Sequence, residues 1–408
     1  MKPLKGFRVL DLTRFLSGPY CTMVLAELGA DVIKVEPPES GDDSRRLGPK
    51  VNGESYPFGM PNRSKRSVAL NLKEEEGLRA FLRMAEQADL VIENFRPGVV
   101  DRLGISYDDV RRVRPDILYC SISGFGQTGP YRDRPGFDIM AQGASGFMRM
   151  TGHPGGRPTK VGIAVNDIAA GSTAIYSILA AEMARRTSGE GEYIDISLLE
   201  AGLAWTVWES GAYFGSGEVP AATGTRHRRS TPYQAYATSD GYVTIGANND
   251  RLWTRLVQHV LGRPEWLEDE RFSTLQARMD HIDELQEEIE AITTTNATSE
   301  WIKLLDEAGV PGGPVLTYDE TLQDPHVQAR EMISEIDHPV IGPMQTIAPP
   351  TKFQNIDFAV EGPAPLLGQH TRTVLRETGL DTEEIDALYA SGVAYEAHPD
   401  LAQGESNA

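Results

Sequence analysis

The chain has 408 residues, long enough for two or three domains and a large core. At 40% hydrophobic and 24% charged it has the composition of an ordinary globular protein. A formal net charge of −20 argues against non-specific binding to nucleic acid, and an anionic ligand would need a local cluster of Lys and Arg. The two cysteines, Cys21 and Cys120, lack metal-type spacing, so no disulfide framework is expected and a reducing cytoplasm is the expected location. No apolar run approaches the length of a membrane span, so no membrane partner is expected.

Arg8-Val9-Leu10-Asp11-Leu12 reads as a short apolar strand. Ser17-Gly18-Pro19 opens a helix to residue 28, with Ser17 as its cap and Pro19 in the first turn, and Gly29 ends it. Residues 31–36 form the next strand and complete a βαβ unit. Further strands fall at 67–72, 88–93 and 117–123, with a helix over 73–87. A long small-residue helix runs from 168 to about 187, with Ile175, Ile178, Leu179 and Met183 at helical spacing and Gly189 as its stop. A strand at 193–197 and a helix at 198–213 follow. The alternation predicts an α/β, Rossmann-like layer.

The character then changes. Residues 215–229 form a linker carrying Arg226, Arg228 and Arg229. Segments 233–237 and 242–246 flank Ser239-Asp240-Gly241, a hairpin signal. Acidic helical sequence fills 251–308, and 310–315 is a turn-rich break. The expected organisation is a large domain over 1–215, a linker and small α+β domain over 216–325, and a return to the large domain over 326–408. That return holds strands near 332–348, a helix at 382–390 and a mobile tail after Pro399.

Gly124-Phe125-Gly126-Gln127-Thr128-Gly129 matches the dinucleotide-binding fingerprint literally. That site also needs a helix opening on the glycines, and Pro130 to Pro135 cannot start one. The eight histidines show no zinc-ligand spacing, so no metal is expected. Asp167 stands at the predicted start of the long helix. Its carboxylate either caps the free N–H groups there or is a nucleophile held at the positive end of the helix, and spacing leaves both open.

Taken together, a set of landmarks resembles the class III CoA-transferases of the CaiB/BaiF type. They are Leu10-Asp11-Leu12-Thr13-Arg14 with Ser17-Gly18-Pro19, Leu28 to Glu36, Asn71-Leu72-Lys73, Glu93-Asn94-Phe95-Arg96-Pro97-Gly98, Ser123 to Pro130, and Pro365 to Thr371. The family also contains formyl-CoA transferase, carnitine CoA-transferase and α-methylacyl-CoA racemase. The resemblance implies an interlocked homodimer, CoA thioesters as substrates and no tightly bound cofactor. It makes Asp167 the catalytic carboxylate, carrying an anhydride and then a CoA thioester. It gives Leu70, Lys73, Asn94, Phe95 and Arg102 to the CoA site, with Lys73 and Arg102 on phosphates.

Phe137 falls where the family often has Tyr near the thioester, and where the racemase branch has a His. Phe carries no proton, so acyl transfer is favoured over isomerisation of 2-methylacyl-CoA; a non-catalytic CoA-binding homologue is the third reading. His153 and His227 do not match that position. Gly143, Ala144, Ser145 and Gly146 would allow a close backbone approach for an oxyanion. A short Gly224–Tyr233 stretch, Val310 to Pro314 and Asp324-Pro325 resemble the succinyl-CoA:dicarboxylate transferases. Arg14, Arg226 and Arg228 are candidates to hold the second carboxylate of the acceptor.

Overall fold

A computed structural model describes residues 1–397, so the tail after Pro399 lies outside the described residues. The chain folds into two compact units. One comprises Met1–Phe147, Val161–Glu218 and the chain from His326 on; the other comprises Met148–Lys160 and Val219–Pro325.

Seven strands build the sheet of the first unit: β1 (Arg8–Asp11), β2 (Asp31–Glu36), β3 (Arg66–Leu70), β4 (Leu90–Glu93), β5 (Leu118–Ser123), β6 (Glu192–Ser197) and β7 (Ala394–Tyr395). Their spatial order is β7-β3-β2-β1-β4-β5-β6. β1 to β6 run parallel, and β7 is antiparallel on the edge of β3. The order of the six parallel strands is that of the doubly wound fold, and the winding reverses between β1 and β4.

Period-two alternation supplies both cores. Val9, Val32, Leu90 and Leu118 face one side with Cys21, Ala170 and Ile178; Leu10, Ile33, Val91 and Tyr119 face the other with Phe81 and Met84. Four helices matter for the crevice: α1 (Ser17–Glu27), α2 (Asp138–Ala144), α3 (Val165–Ser188) and α4 (Leu198–Trp205). The small residues of α3 have a packing reason. Ala169, Ala170 and Ala174 are fully buried, and a Cβ on Gly171 would come within 2.5 Å of the Ser17 carbonyl oxygen on α1.

Several local expectations are corrected. Ser17 is the first residue of α1 rather than its cap; Leu16 takes the cap position without a side-chain bond. The helix expected over 198–213 is two helices, because Thr206 donates its hydroxyl back to Leu203 O at 2.8 Å and the second helix runs Val207–Ser216. After Gly129, by contrast, the structure agrees with the sequence: no helix opens there, and the next is α2.

The turn after β1 rests on buried charge. Asp11 accepts from Thr13 N–H (2.9 Å), the Thr22 hydroxyl (2.7 Å) and Lys65 Nζ (3.0 Å). Lys34 Nζ donates to Thr13 O (2.7 Å) and pairs with Asp42 (2.9 Å). All four charged side chains are inaccessible to solvent.

In the second unit, Tyr233–Ala237 pairs antiparallel with Tyr242–Gly246 across the predicted turn, and Gly312–Pro314 adds the third strand. Its core holds Trp253, Trp266 and Phe272. Met148–Lys160, which the sequence reading kept within 1–215, groups with this unit because Gly224 N–H donates to Gly152 O at 2.8 Å and Arg228 donates to Met150 O. In the C-terminal part of the first unit, Ile333–His338 and Gly342–Ile347 form a hairpin, and a helix spans Thr382–Ala390.

Removing one partner of a buried ion pair leaves an uncompensated charge. Asp11→Ala is therefore expected to cost about 3–5 kcal/mol in urea unfolding. A loss below about 1 kcal/mol would show that the network does not hold this part of the fold.

Candidate active site

A cavity of 540 Å³ opens at the carboxyl ends of the central strands, where the winding reverses. The turn after β1 supplies Arg14 to Ser17, and the turn after β4 supplies Asn94 to Pro97. The end of β5 and the Gly136–Ile139 stretch complete the walls, and Asp167 projects from the first turn of α3.

The first two walls are tied together. Arg14 N–H donates to Asn94 Oδ1 at 2.8 Å, and Asn94 Nδ2 donates back to Arg14 O at 2.8 Å. Phe15 N–H donates to Asp42 Oδ1 at 3.2 Å. These bonds hold Phe15 at φ +63°, a left-handed conformation that side chains other than Gly seldom adopt.

Asp167 is not the cap of α3. The helix begins at Val165 with Ala164 at the cap position, which makes Asp167 its third residue. A distant carboxylate takes the free N–H instead: Asn166 N–H donates to Asp138 Oδ1 at 2.9 Å. Gln142 Nε2 donates to Asp138 Oδ2 at 2.6 Å. The Asn166 amide donates to Leu198 O at 2.9 Å, an approach that needs Gly202, whose added Cβ would stand 2.1 Å from Asn166 Nδ2.

Asp167 itself accepts no hydrogen bond from the described residues. Burial first, and then the negative charge of Asp138, push its carboxyl up to about pKa 7. The helix end expected to stabilise its anion is outweighed.

Asp167, Asn94, Phe95, Phe137 and Arg14 thus come together in one cavity. Both amide atoms of Asn94 are committed to Arg14, so its main chain is what remains to meet a ligand. Leu70 is 1% exposed and its side chain belongs to the core rather than to a ligand surface. Lys73 and Arg102 are exposed and stand outside the cavity lining. Arg226 and Arg228 lie in the second unit. There Arg226 is tied to Asp283 (2.6 Å) and Gln286 (3.0 Å), and Arg228 to the main-chain oxygens of Ala221 and Met150. Gly143 and Ala144 lie inside α2, and Ser145 N–H closes that helix on Ala141 O.

Asp138, Gln142, Asn166 and Arg134 were missed. Asp138 follows Phe137 directly, yet nothing local links it to Asn166, 28 positions away. Arg134 was visible only as part of the stretch that disqualified a dinucleotide site.

A doubly wound sheet with one unpartnered carboxylate in its crevice marks an α/β enzyme. The chain belongs to CoA-transferase family III, whose sequence model matches residues 4–371, and it is accordingly a CoA-transferase acting on CoA thioesters. The succinyl-CoA:glutarate CoA-transferase of Mus musculus is 38% identical over 395 residues, covering 96% of this chain and 90% of that one. The succinyl-CoA–D-citramalate CoA-transferase of Chloroflexus aurantiacus is 36% identical over 397 residues, covering 96% and 98%. The crystal structure of a CAIB/BAIF family protein from Brucella suis superposes with a TM-score of 0.84 at 36% identity, covering 92% of this chain and 99% of that one.

A nucleophilic carboxylate works only as its anion, which exists above its pKa. The kcat/KM for an acyl-CoA is therefore expected to rise tenfold per pH unit below about pH 7 and to level off above it. In Asp138→Asn the midpoint is expected at lower pH, because one of the two causes of the raised pKa is gone. A wild-type profile with its acid limb near pH 4 would contradict this assignment.

Proposed function

We propose that this enzyme moves CoA from succinyl-CoA to a dicarboxylic acid, with Asp167 as the group that carries CoA between them. The observation that carries the reading is a half-buried carboxylate, unpartnered among the described residues, in the crevice of a family III CoA-transferase. The names of the relatives support the class of acid: glutarate and D-citramalate are both dicarboxylates, and succinyl-CoA is the donor for both enzymes.

The chemistry follows from the carboxylate. Asp167 attacks the thioester carbonyl of the donor, and the tetrahedral adduct expels CoA thiolate to leave a mixed anhydride. The thiolate attacks the Asp167 carbonyl of that anhydride and releases the donor acid, leaving an aspartyl-CoA thioester. The acceptor carboxylate then attacks the aspartyl thioester carbonyl and releases the thiolate. A second anhydride is thereby formed, and the thiolate attacks its acceptor carbonyl. The products are acyl-CoA and free Asp167. Each step exchanges one activated acyl bond for another, so the free energy of the thioester is retained.

Phe137 argues against the isomerase alternative, since a phenyl ring cannot return a proton to the α-carbon, and no histidine lines the cavity among the described residues. In this reading Phe95, Phe137 and the main chain of Asn94 contact CoA inside the cavity, and Lys73 and Arg102 meet its phosphates farther out. The two cysteines, both buried and unpaired, fit the reducing compartment expected for the chain.

The test is kinetic. Asp167→Asn keeps the shape of the side chain and removes the nucleophile, and Asp167→Ala removes both. Each is expected to lower succinyl-CoA:glutarate transfer by about a thousandfold or more. Transfer within tenfold of the parent enzyme in either variant would reject Asp167 as the carrier.

We also propose the interlocked homodimer of the family. Its support is the set of exposed apolar side chains on the helix Val207–Ser216, with Val207 75%, Trp208 72% and Phe214 83% exposed, more large apolar surface than a free chain usually leaves to water. Sedimentation is expected to give twice the mass of one chain, and Trp208→Asp with Phe214→Asp is expected to shift it toward one. A parent enzyme that sediments as a single chain would dismiss the dimer.

A further inference from the structure

The glycine motif at Gly124–Gly129 and the arginine that follows it have no part in the chemistry above, and they belong to one construction. An added Cβ on Gly124 would stand 2.7 Å from the Cα of Gly136, so the two backbones touch and close residues 125–135 into a loop. The loop is packed on itself. Phe125 meets Tyr131 edge to face at 5.8 Å, and the Arg134 guanidinium lies 3.7 Å from the centre of the Tyr131 ring. Its base is tied to the sheet: Gln127 N–H donates to the Asp195 carboxylate at 3.0 Å, and Gln127 Nε2 donates to Ser121 Oγ at 2.8 Å.

This places a held guanidinium in the wall of the cavity that contains Asp167. Tyr131 holds the Arg134 guanidinium against its ring while no hydrogen bond or ion pair among the described residues takes its N–H groups, and a guanidinium with free N–H groups can take a carboxylate through two parallel hydrogen bonds. Arg134 has no carboxylate partner among the described residues. The other arginines of the cavity are placed differently. Arg14 is paired with Asp43 at 3.3 Å, and Arg96 stands on the turn with Asn94 and Phe95, the residues read as meeting CoA. Arg226 and Arg228, suggested by sequence for this task, are tied within the second unit.

We propose that Arg134 binds the remote carboxylate of the dicarboxylic acids that exchange CoA at Asp167, and that the Gly124–Gly136 loop exists to present it. The proposal rests on the functional reading above and specifies its substrate class. Because donor and acceptor visit the same Asp167 in turn, one arginine serves both: it grips the free end of the succinyl group in the first half of the reaction and that of the acceptor in the second.

The experiment compares glutarate with pentanoate as acceptors, and succinyl-CoA with butyryl-CoA as donors, in the parent enzyme, Arg134→Met, Arg134→Lys and Arg96→Met. Arg134 is on the surface of its loop, so its replacement leaves the core intact. Arg134→Met is expected to lower the ratio of kcat/KM for glutarate over pentanoate by about ten- to a hundredfold, with the same direction for succinyl-CoA over butyryl-CoA. Arg134→Lys is expected to fall between, since the charge remains and the paired N–H edge is lost. A ratio that does not move in Arg134→Met overturns the proposal. So does an equal rise in KM for both CoA thioesters, which would place Arg134 on a CoA phosphate, and so does a larger change of the ratio in Arg96→Met. A parent enzyme that delivers CoA to neither acid would reject the functional reading itself, and the proposal with it; parent transfer with an unmoved ratio rejects the proposal alone.

Discussion

The crevice depends on a carboxylate that never meets water. Asp11 ends the central strand β1, and its two oxygens gather Thr13, Thr22 and Lys65 from three different segments. Beside it, Lys34 holds the Thr13 carbonyl and Asp42, and Asp42 in turn holds Phe15 N–H. Such a network adds little stability over an apolar core of the same shape, because desolvating the charges offsets their attraction. What it fixes is position. The turn from Thr13 to Leu16 is bonded on both sides, and Phe15 stays in a left-handed conformation that costs on the order of 1 kcal/mol.

The same logic applies to Asp167, with the opposite sign. The donors beside it are directed elsewhere: Asn166 N–H and Gln142 Nε2 to Asp138, and the Asn166 amide N–H to Leu198 O, while Asn166 Oδ1 is buried without a partner. Asp167 is left without a donor, half-buried and near a second negative charge, and its pKa rises to about 7. For a nucleophile this is useful. A more basic carboxylate attacks a thioester more readily, and a group with a pKa near the working pH is still substantially ionised. Asp138 therefore has two effects through one charge. It caps the helix that carries Asp167, and it raises the basicity of its neighbour.

Much of the fold was legible in the sequence because it is written in local patterns. The alternating strands and helices, the hairpin around Asp240 and the stop at Gly189 all depend on residues close together in the chain. Caps were misread at the two helices that begin beside the crevice. Ser17 and Asp167 are sound cap residues by composition, but Leu16 and Ala164 hold those positions, and α3 draws its capping acceptor from Asp138. The choice of Asp167 as the carrier candidate came from the family landmarks rather than from its own surroundings. Leu70 shows one thing that route does not give, since its side chain is buried in the core and only its main chain is left to meet a ligand. Arg134 shows another: its stack on Tyr131 and the contact of Gly124 with Gly136 exist only in three dimensions.

The central claim is that CoA resides on Asp167 between donor and acceptor. The direct measurement is mass spectrometry of the enzyme mixed with succinyl-CoA alone, quenched in acid and digested. A CoA adduct on the peptide that contains Asp167, converted to the hydroxamate at that residue by hydroxylamine, is the expected result. An enzyme that transfers CoA at full rate while Asp167 stays unmodified, or while the adduct forms at another residue, would contradict the account.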